Sequence, residues 1–285
     1  MNTFHEPAST LWDERGLVSI VISFLNAELF LNEAIASVLA QTYDRWELLL
    51  VNDGSTDQSA TIAERYAKDR PSQIRYLQHA DLGRHGISTS RNLGIAHSTG
   101  EYIAFLDADD VWFPNKLERQ VALLVAEQNA AIVLGSSLSW HSWTGKTRNL
   151  MKDEFAPVLE DEESERFVDL PMLSVREVWH TAAPSGILVR RHAAAAVGNF
   201  ESGFDNLYED QAFYFKLGLN AKALASSECW YKYRQHPNSV CAIGVRTGAQ
   251  AVAKVKFLRW AIQYLASSKI ERPDLLEALS QELIP

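Results

Sequence analysis

The chain has 285 residues, 47% of them hydrophobic, enough to bury a substantial core as one large domain or two closely joined ones. Its formal net charge of -9 argues against a nucleic-acid polymer as the main partner, because neutralising phosphates takes a basic surface. Two cysteines, Cys229 and Cys241, make no disulfide framework and point to a reducing, cytoplasmic setting. The leader, residues 1–16, lacks the basic start and apolar run of a signal peptide, and no stretch approaches the length of a membrane-spanning helix.

From Leu17 to about Gly135 strand and helix patterns alternate. Val18 to Ile22 is a short β-branched run of the kind buried in a parallel sheet. Leu29 to Ala40 then carries an apolar stripe at Phe30, Leu31, Ala34, Ile35, Val38 and Leu39, the spacing of a helix. Trp46 to Val51 reads as the second strand and Asp57 to Ala67 as a helix, with Ser55 or Thr56 as its cap. Ile74 to Leu77 is a third strand, Ser88 to His97 a helix, and Tyr102 to Leu106 a fourth strand. A helix follows from Pro114 to about Gln128, and Ala131 to Leu134 closes the series. Repeated units of this length predict an α/β fold with a parallel sheet, whose ligands bind at the carboxyl ends of strands.

The second half is less regular. Ser136 to Lys146 reads as a twisted hairpin or irregular strands, and Asp153 to Glu165, with seven acids, as an exposed loop. Gly186 to Val189 is a short strand, Arg191 to Val197 and Glu209 to Leu217 are helices, and Trp230 to Arg234 is an aromatic strand. Ala249 to Leu265 is helical, and there is no internal repeat.

Three strand ends of the first half carry polar signatures: Ser23 to Glu28, Asn52 to Asp57, and Asp107-Ala108-Asp109-Asp110. The last is the densest, with three carboxylates in four positions behind an apolar strand. Like charges so packed repel one another unless a cation sits between them, and hard divalent ions take oxygen ligands. A single acidic strand end could be a helix cap; three on one sheet edge point to a shared cleft.

Five motifs in register then match a known family: Val51 to Ser59 (Val-Asn-Asp-Gly-Ser-Thr-Asp-Gln-Ser), Ser90-Arg91-Asn92-Leu93-Gly94, Phe105 to Asp110, Tyr208-Glu209-Asp210 and Tyr233-Arg234-Gln235-His236-Pro237-Asn238-Ser239. With Gln41-Thr42-Tyr43, the chain resembles family 2 glycosyltransferases from about Val18 to Ser239. The resemblance implies a GT-A type fold, mainly a parallel twisted sheet flanked by helices, with a smaller mixed region on the acceptor side. It divides the chain into a domain at 17–245, made of a nucleotide-binding half (17–135) and an acceptor-binding half (136–245), and a C-terminal helical extension at 246–285.

It also implies roles. Asp53 would accept the N–H of a uracil or similar base, with Ser23, Asn26 and Glu28 lining the base and ribose pocket. Many relatives have Pro-x-Tyr-Asn where this chain has Ser23-Phe24-Leu25-Asn26, which removes an aromatic candidate for stacking on the base. Arg91 would serve the nucleotide or its phosphates, or pair with a strand-end acid. Asp107 would contact the ribose, and Asp109 would hold Mn²⁺ or Mg²⁺ between the phosphates, with Asp110 as a helix cap and His236 a candidate further ligand. Arg234 would meet phosphate or pack beside Trp230. Asp210 would be the base of an inverting transfer, Glu209 would position the acceptor, and Trp179 to Gly186 falls where relatives build the acceptor floor. The expected partners are a nucleoside-diphosphate sugar, with UDP the favoured carrier, and a glycan, lipid-linked or small hydroxyl acceptor, in cell-surface polysaccharide or glycoconjugate synthesis. The C-terminal helix leaves a homo-oligomer and a peripheral seat on the inner face of a membrane open.

Other readings fit less well. A haloacid-dehalogenase-type phosphatase places its D-x-D after the first strand, not the fourth. A sugar nucleotidyltransferase needs a glycine-rich phosphate loop after that strand, and Ser23 to Glu28 has no glycine. A non-catalytic nucleotide-sugar-binding module would lack Asp109 or Asp210, and both are present.

Overall fold

The computed structural model describes residues 16–159, 164–176, 183–204 and 206–283. The first half contains β1 (Val18–Phe24), α1 (Leu31–Leu39), β2 (Trp46–Asn52), α2 (Ser59–Asp69), β3 (Ile74–Gln78), α3 (Ile87–His97), β4 (Tyr102–Phe105), β5 (Val111–Trp112) and α4 (Lys116–Ala126). After β6 (Ala130–Trp140) come α5 (Thr147–Leu150), β7 (Glu154–Ala156), β8 (Glu165–Val168), α6 (Leu170–Arg176), β9 (Ile187–Arg190) and α7 (Arg191–Ala196). The chain continues through α8 (Glu209–Asn220), β10 (Lys222–Arg234), α9 (Val240–Thr247), α10 (Ala249–Ser268) and α11 (Pro273–Glu282).

The strands form one sheet in the order β3-β2-β1-β4-β9-β6-β10-β5, with β7 on β6 and β8 on β10. Pairings among β3, β2, β1 and β4 are parallel, as is β6 with β10, while β9 runs antiparallel to both its neighbours. Strand β1 is buried along its whole length because helices cover both faces, which is why its sequence is a continuous apolar run. Its even residues Ile20 and Ile22 join α1 through Leu31, Ala34, Ile35 and Val38, and its odd Val21 joins Phe105, Phe213 and Leu217 on the opposite face. Period-two alternation thus sends one strand into two cores. A third core packs Phe257, Leu258, Ala261 and Leu265 of α10 against Tyr208, Phe215 and α11.

The sheet order reverses at β1, with β2 and β3 to one side and β4 to the other. Such a switch point opens a crevice at the carboxyl ends of the strands, the site where α/β sheets take ligands. Ser23, Asp53 and Asp107 stand at the ends of β1, β2 and β4 around it.

Several elements differ from the sequence expectation. Of the stretch 136–146, expected as a twisted hairpin or irregular strands, residues to Trp140 are strand, the continuation of β6, whose last residues pair with Arg234 and its neighbours on β10. Strand β6 therefore crosses the 135/136 division, and both halves share one sheet. The acidic stretch from 153 is not wholly a loop: Glu154–Ala156 pairs with β6 and Glu165 opens β8, while residues 160–163 lie outside the described set. Backbone pairing holds these segments whatever their side chains. Helix α2 starts at Ser59 with Gln58, not Ser55 or Thr56, at its N-cap and no side-chain cap; Asp57 braces the preceding turn, its carboxylate accepting the Ser59 N–H at 2.9 Å.

Candidate active site

Asp53 follows β2 and is almost enclosed, with 5% of its surface exposed. Its Oδ1 accepts the Ser90 hydroxyl at 2.9 Å and the His85 N–H at 2.8 Å, and its Oδ2 accepts the Gly86 N–H at 3.1 Å. The loop before α3 is thereby fastened to the end of β2, and Oδ2 keeps room for another donor. Ser23 is buried on the face of β1 that carries Val21, and its Oγ has no hydrogen-bond partner. The structure does not gather Asn26 and Glu28 with them. Both are exposed and tie two loops together: Asn26 Oδ1 accepts the Thr56 N–H at 2.8 Å and Glu28 Oε2 the Gln58 N–H at 3.0 Å.

Arg91 is the hub. Helix α3 lies tight on β1, since a Cβ at Gly94 would come within 2.5 Å of Val21 Cγ1. That approach places the Arg91 guanidinium, 3% exposed, between two carboxylates: Nη2 donates to Asp107 at 2.7 Å and Nη1 to Glu209 at 2.9 Å. It also lies 5.2 Å from the centre of the Phe200 ring. Burial alone would lower its pKa, but Asp107 and Glu209 more than offset this and hold it above the ordinary value. A group so enclosed is a pin between the strand-end acids and α8, not an open contact for phosphate.

The turn after β4 is braced from two directions. Asp110 is fully buried and does not cap a helix, since α4 starts six residues later at Lys116. Its Oδ2 accepts the Ser185 hydroxyl at 2.6 Å and its Oδ1 the Arg234 N–H at 3.0 Å, while Ser185 Oγ accepts the Asp107 N–H at 3.1 Å. Burial, with Asp109 and Asp107 adding to it, pushes the Asp110 carboxyl well above the usual range. Arg234 packs not on Trp230 but among Phe30, Trp140 and Trp143, 4.4–5.2 Å from their ring centres. Its Nε donates to the Asp109 carbonyl at 2.6 Å and Nη2 to Glu33 at 2.6 Å. His236 Nε2 lies 2.9 Å from Asp109 Oδ2.

Among the described residues no three His, Cys, Asp or Glu side chains converge as a ready-made metal cage. Asp109 and His236 nonetheless make a carboxylate–imidazole pair whose Asp member is 30% exposed. Such a pair fits Mn²⁺ or Mg²⁺ held jointly with water and substrate phosphates.

Asp210 stands second in α8 beside this cluster. The chain reaches it through Asn199, Asn206 and Tyr208, all in the left-handed region at φ 58°, 62° and 67°, a density of strained backbone typical of functional loops. Burial, reinforced by Glu209, raises the Asp210 carboxyl to about 7, the range of a competent general base near neutral pH. Glu209 has one oxygen on Arg91 and the other, Oε2, buried without a partner. Trp179, His180 and the residues to Ala182 lie outside the described set. Ser185, in the same segment expected at the acceptor floor, had no individual role in the sequence reading because its partners are 75 and 78 residues away.

Residues 19–198 match the glycosyl transferase family 2 model. An uncharacterized glycosyltransferase of Bacillus subtilis, EpsJ, is 32% identical over 237 residues, 80% of this chain and 63% of that protein. The Escherichia coli UDP-Glc:alpha-D-GlcNAc-diphosphoundecaprenol beta-1,3-glucosyltransferase WfgD is 36% identical over 120 residues, 42% of this chain and 45% of that one. The matched regions thus span less than two thirds of these relatives. In fold the chain is similar to S. aureus TarS 1-349 in complex with UDP-GlcNAc (TM-score 0.68, 18% identity, 94% of this chain and 71% of that one). It is also similar to the mannosyltransferase PcManGT from Pyrobaculum calidifontis in complex with GDP-Man and Mn2+ (TM-score 0.62, 15% identity, 95% and 75%). With a family match over most of the sheet and the motif residues converging at its switch point, the chain belongs to glycosyl transferase family 2.

Proposed function

We propose that the chain is an inverting glycosyltransferase that moves a sugar from a UDP-linked donor to a hydroxyl of a glycan, lipid-linked or small acceptor, with Mn²⁺ or Mg²⁺. The placement belongs to cell-surface polysaccharide or glycoconjugate synthesis. The observation that carries the reading is the Arg91 bridge, which joins Asp107 at the end of β4 to Glu209 and so sets Asp210 beside the donor crevice. TarS with UDP-GlcNAc and the name of WfgD support a UDP-linked sugar, and PcManGT with Mn2+ supports the metal. No described helix is long and apolar enough to cross a membrane.

In this reading Asp53 Oδ2 accepts from the base, and the buried Ser23 hydroxyl donates to the same nucleotide. Asp210 takes the proton of the acceptor hydroxyl while the acceptor oxygen bonds to the anomeric carbon. The bond from that carbon to the diphosphate oxygen breaks on the opposite face, which inverts the centre. Asp109 and His236 would hold the ion, which when bound neutralises the departing diphosphate as a Lewis acid. Arg91 holds Asp107 and Glu209 in place through its two ion pairs.

The test is turnover against a panel of nucleotide sugars with Mn²⁺. Asp210→Asn should keep donor binding and lose transfer, and Asp109→Ala should lose metal-dependent turnover with its circular dichroism intact. Transfer surviving at saturation in Asp210→Asn would reject the base assignment.

A further inference from the structure

The loop of residues 79–86, between β3 and α3, carries two histidines that the transfer step does not use. His79 is the first residue after β3, and 10% of its side chain is exposed. Its Nε2 lies 2.8 Å from Ser90 Oγ, and that hydroxyl donates to Asp53 Oδ1 at 2.9 Å. Ser90 is fully buried, so solvent does not interrupt the chain of three groups.

Counting protons fixes the direction of this relay. A carboxylate only accepts, and Asp53 Oδ1 also takes the His85 N–H at 2.8 Å and the Gly86 N–H at 3.2 Å. The single hydroxyl proton of Ser90 therefore points to Asp53, and His79 must supply the proton between Nε2 and Oγ. Neutral His79 is thus the Nε2–H tautomer, with Nδ1 as its basic nitrogen. The relay loads Oδ1 and leaves Oδ2, which shares the Gly86 N–H at 3.1 Å, as the freer oxygen for a ligand N–H.

A proton on His79 would disturb the arrangement. Its ring centre lies 4.2 Å from that of His85, and its Nε2 is 3.6 Å from Asp53 Oδ1. His85 Nε2 is itself 2.8 Å from Asp81 Oδ1, and Arg84, the other charged residue of the loop, is exposed. Asp53 and Asp81 favour an imidazolium at His79, while burial and His85 oppose one. Burial is the largest of these effects, and the balance holds His79 below its ordinary value, so the ring stays neutral around pH 7. In acid, an imidazolium would draw Asp53 into an ion pair and compete with a ligand N–H for the carboxylate charge.

We infer that His79 and Ser90 are positioning residues for the donor base: they present Asp53 Oδ2 to the base N–H while His79 is neutral, and weaken that contact when His79 takes a proton. The inference rests on the reading of Asp53 as the base acceptor; the proton relay itself does not.

UDP-glucose, which has no group of its own titrating between pH 5 and 8, tests it by calorimetric titration into the full chain at pH 5.5 and 7.5. His79→Ala should bind it about tenfold more weakly than wild type at pH 7.5. His79→Gln, which restores an N–H near the Nε2 position without a titrating ring, should recover most of that loss. The weakening on going to pH 5.5 should be about tenfold larger in wild type than in His79→Gln, since every other titrating group is common to both. A merely structural histidine would not separate the two pH profiles. Unchanged affinity in His79→Ala, or equal pH dependence in wild type and His79→Gln, overturns the inference. The nitrogen-15 shifts of the His79 ring in wild type need no variant and should show the Nε2–H tautomer above neutrality; an Nδ1–H tautomer overturns the relay. If wild type binds no UDP-glucose, the proposed donor falls, while the ring tautomer still decides the relay.

Discussion

Replacing Arg91 by Met keeps most of the bulk and removes the charge that joins the two halves of the site. The guanidinium is 3% exposed and serves two carboxylates, Asp107 at 2.7 Å and Glu209 at 2.9 Å. Breaking a buried ion pair by deleting one partner costs about 3–5 kcal/mol, and here two acids are stranded, so the upper part of that range is expected. At roughly 2–4 °C per kcal/mol for a chain of this order, the melting midpoint should fall by about 10 °C or more. The loss should also depend on pH in a set direction. Asp107 and Asp210 already lie above their ordinary values, and Arg91 holds both down. Without it both rise further. A carboxyl whose folded pKa exceeds its unfolded value costs stability as pH climbs above the unfolded value, and the cost is relieved on acidification. The deficit of Arg91→Met should therefore be larger at pH 8 than at pH 5.5, read from urea unfolding followed by tryptophan fluorescence. Arg91→Lys should recover only part of it, since one ammonium lacks the fork that reaches both acids. A deficit below about 1 kcal/mol, or one equal at both pH values, would refute the pin.

Other outcomes follow from the same geometry. With Asp210 near 7, the fraction able to accept a proton is about half at pH 7 and about a tenth at pH 6, so kcat should rise with pH to a plateau above neutrality; Asp210→Asn should remove the limb and cost about 10²–10⁴ in kcat. Ser185→Ala strands the Asp107 amide and one Asp110 oxygen, and should cost about 1–3 kcal/mol in urea unfolding. Gly94→Ala drives a methyl into Val21 and should cost about 1–3 kcal/mol; Val21→Ala in the same chain should restore part of it, and no rescue would mean α3 is not seated by that contact.

The parallel half was legible because burial on both faces writes itself into sequence as apolar runs. Val18–Phe24 and Trp46–Asn52 are such strands, and α1 shows its stripe at Leu31, Ala34, Ile35 and Val38. The other half hides its order. Strand β10 runs for 13 residues but shifts register near Lys222 and between Ser226 and Tyr231, which breaks the alternation that would reveal it, and only its aromatic end was read. Within the site, Asp53, Arg91, Asp107, Asp109 and Asp210 sit in motifs that name themselves. Ser185 and the aromatic box around Arg234 do not, because they act only through partners brought together by the sheet. For Arg91 the sequence offered a nucleotide contact or a pair with a strand-end acid; the pair with Asp107 is present, but the second partner, Glu209, and the burial of the guanidinium needed the fold.

Charge accounting connects these pieces. Asp107, Asp109, Asp110, Glu209 and Asp210 gather around the crevice, and among the described residues the buried cations beside them are Arg91 and Arg234, the second also paired with Glu33. Two guanidiniums cannot balance that many carboxylates, and the imbalance, added to burial, pushes their titration upward: Asp107 and Asp110 lie above their usual range and Asp210 near 7. An added divalent cation at Asp109 would shift this balance, making ionisation of the neighbouring acids less costly. A dianionic diphosphate arriving alone would do the reverse. On this electrostatic argument ion and nucleotide bind as a unit, each strengthening the other, and UDP affinity should rise with Mn²⁺ in wild type but not in Asp109→Ala. Equal UDP affinity with and without Mn²⁺ in wild type would show that the acid cluster does not sense the ion, and the argument for a metal at Asp109 would fail with it.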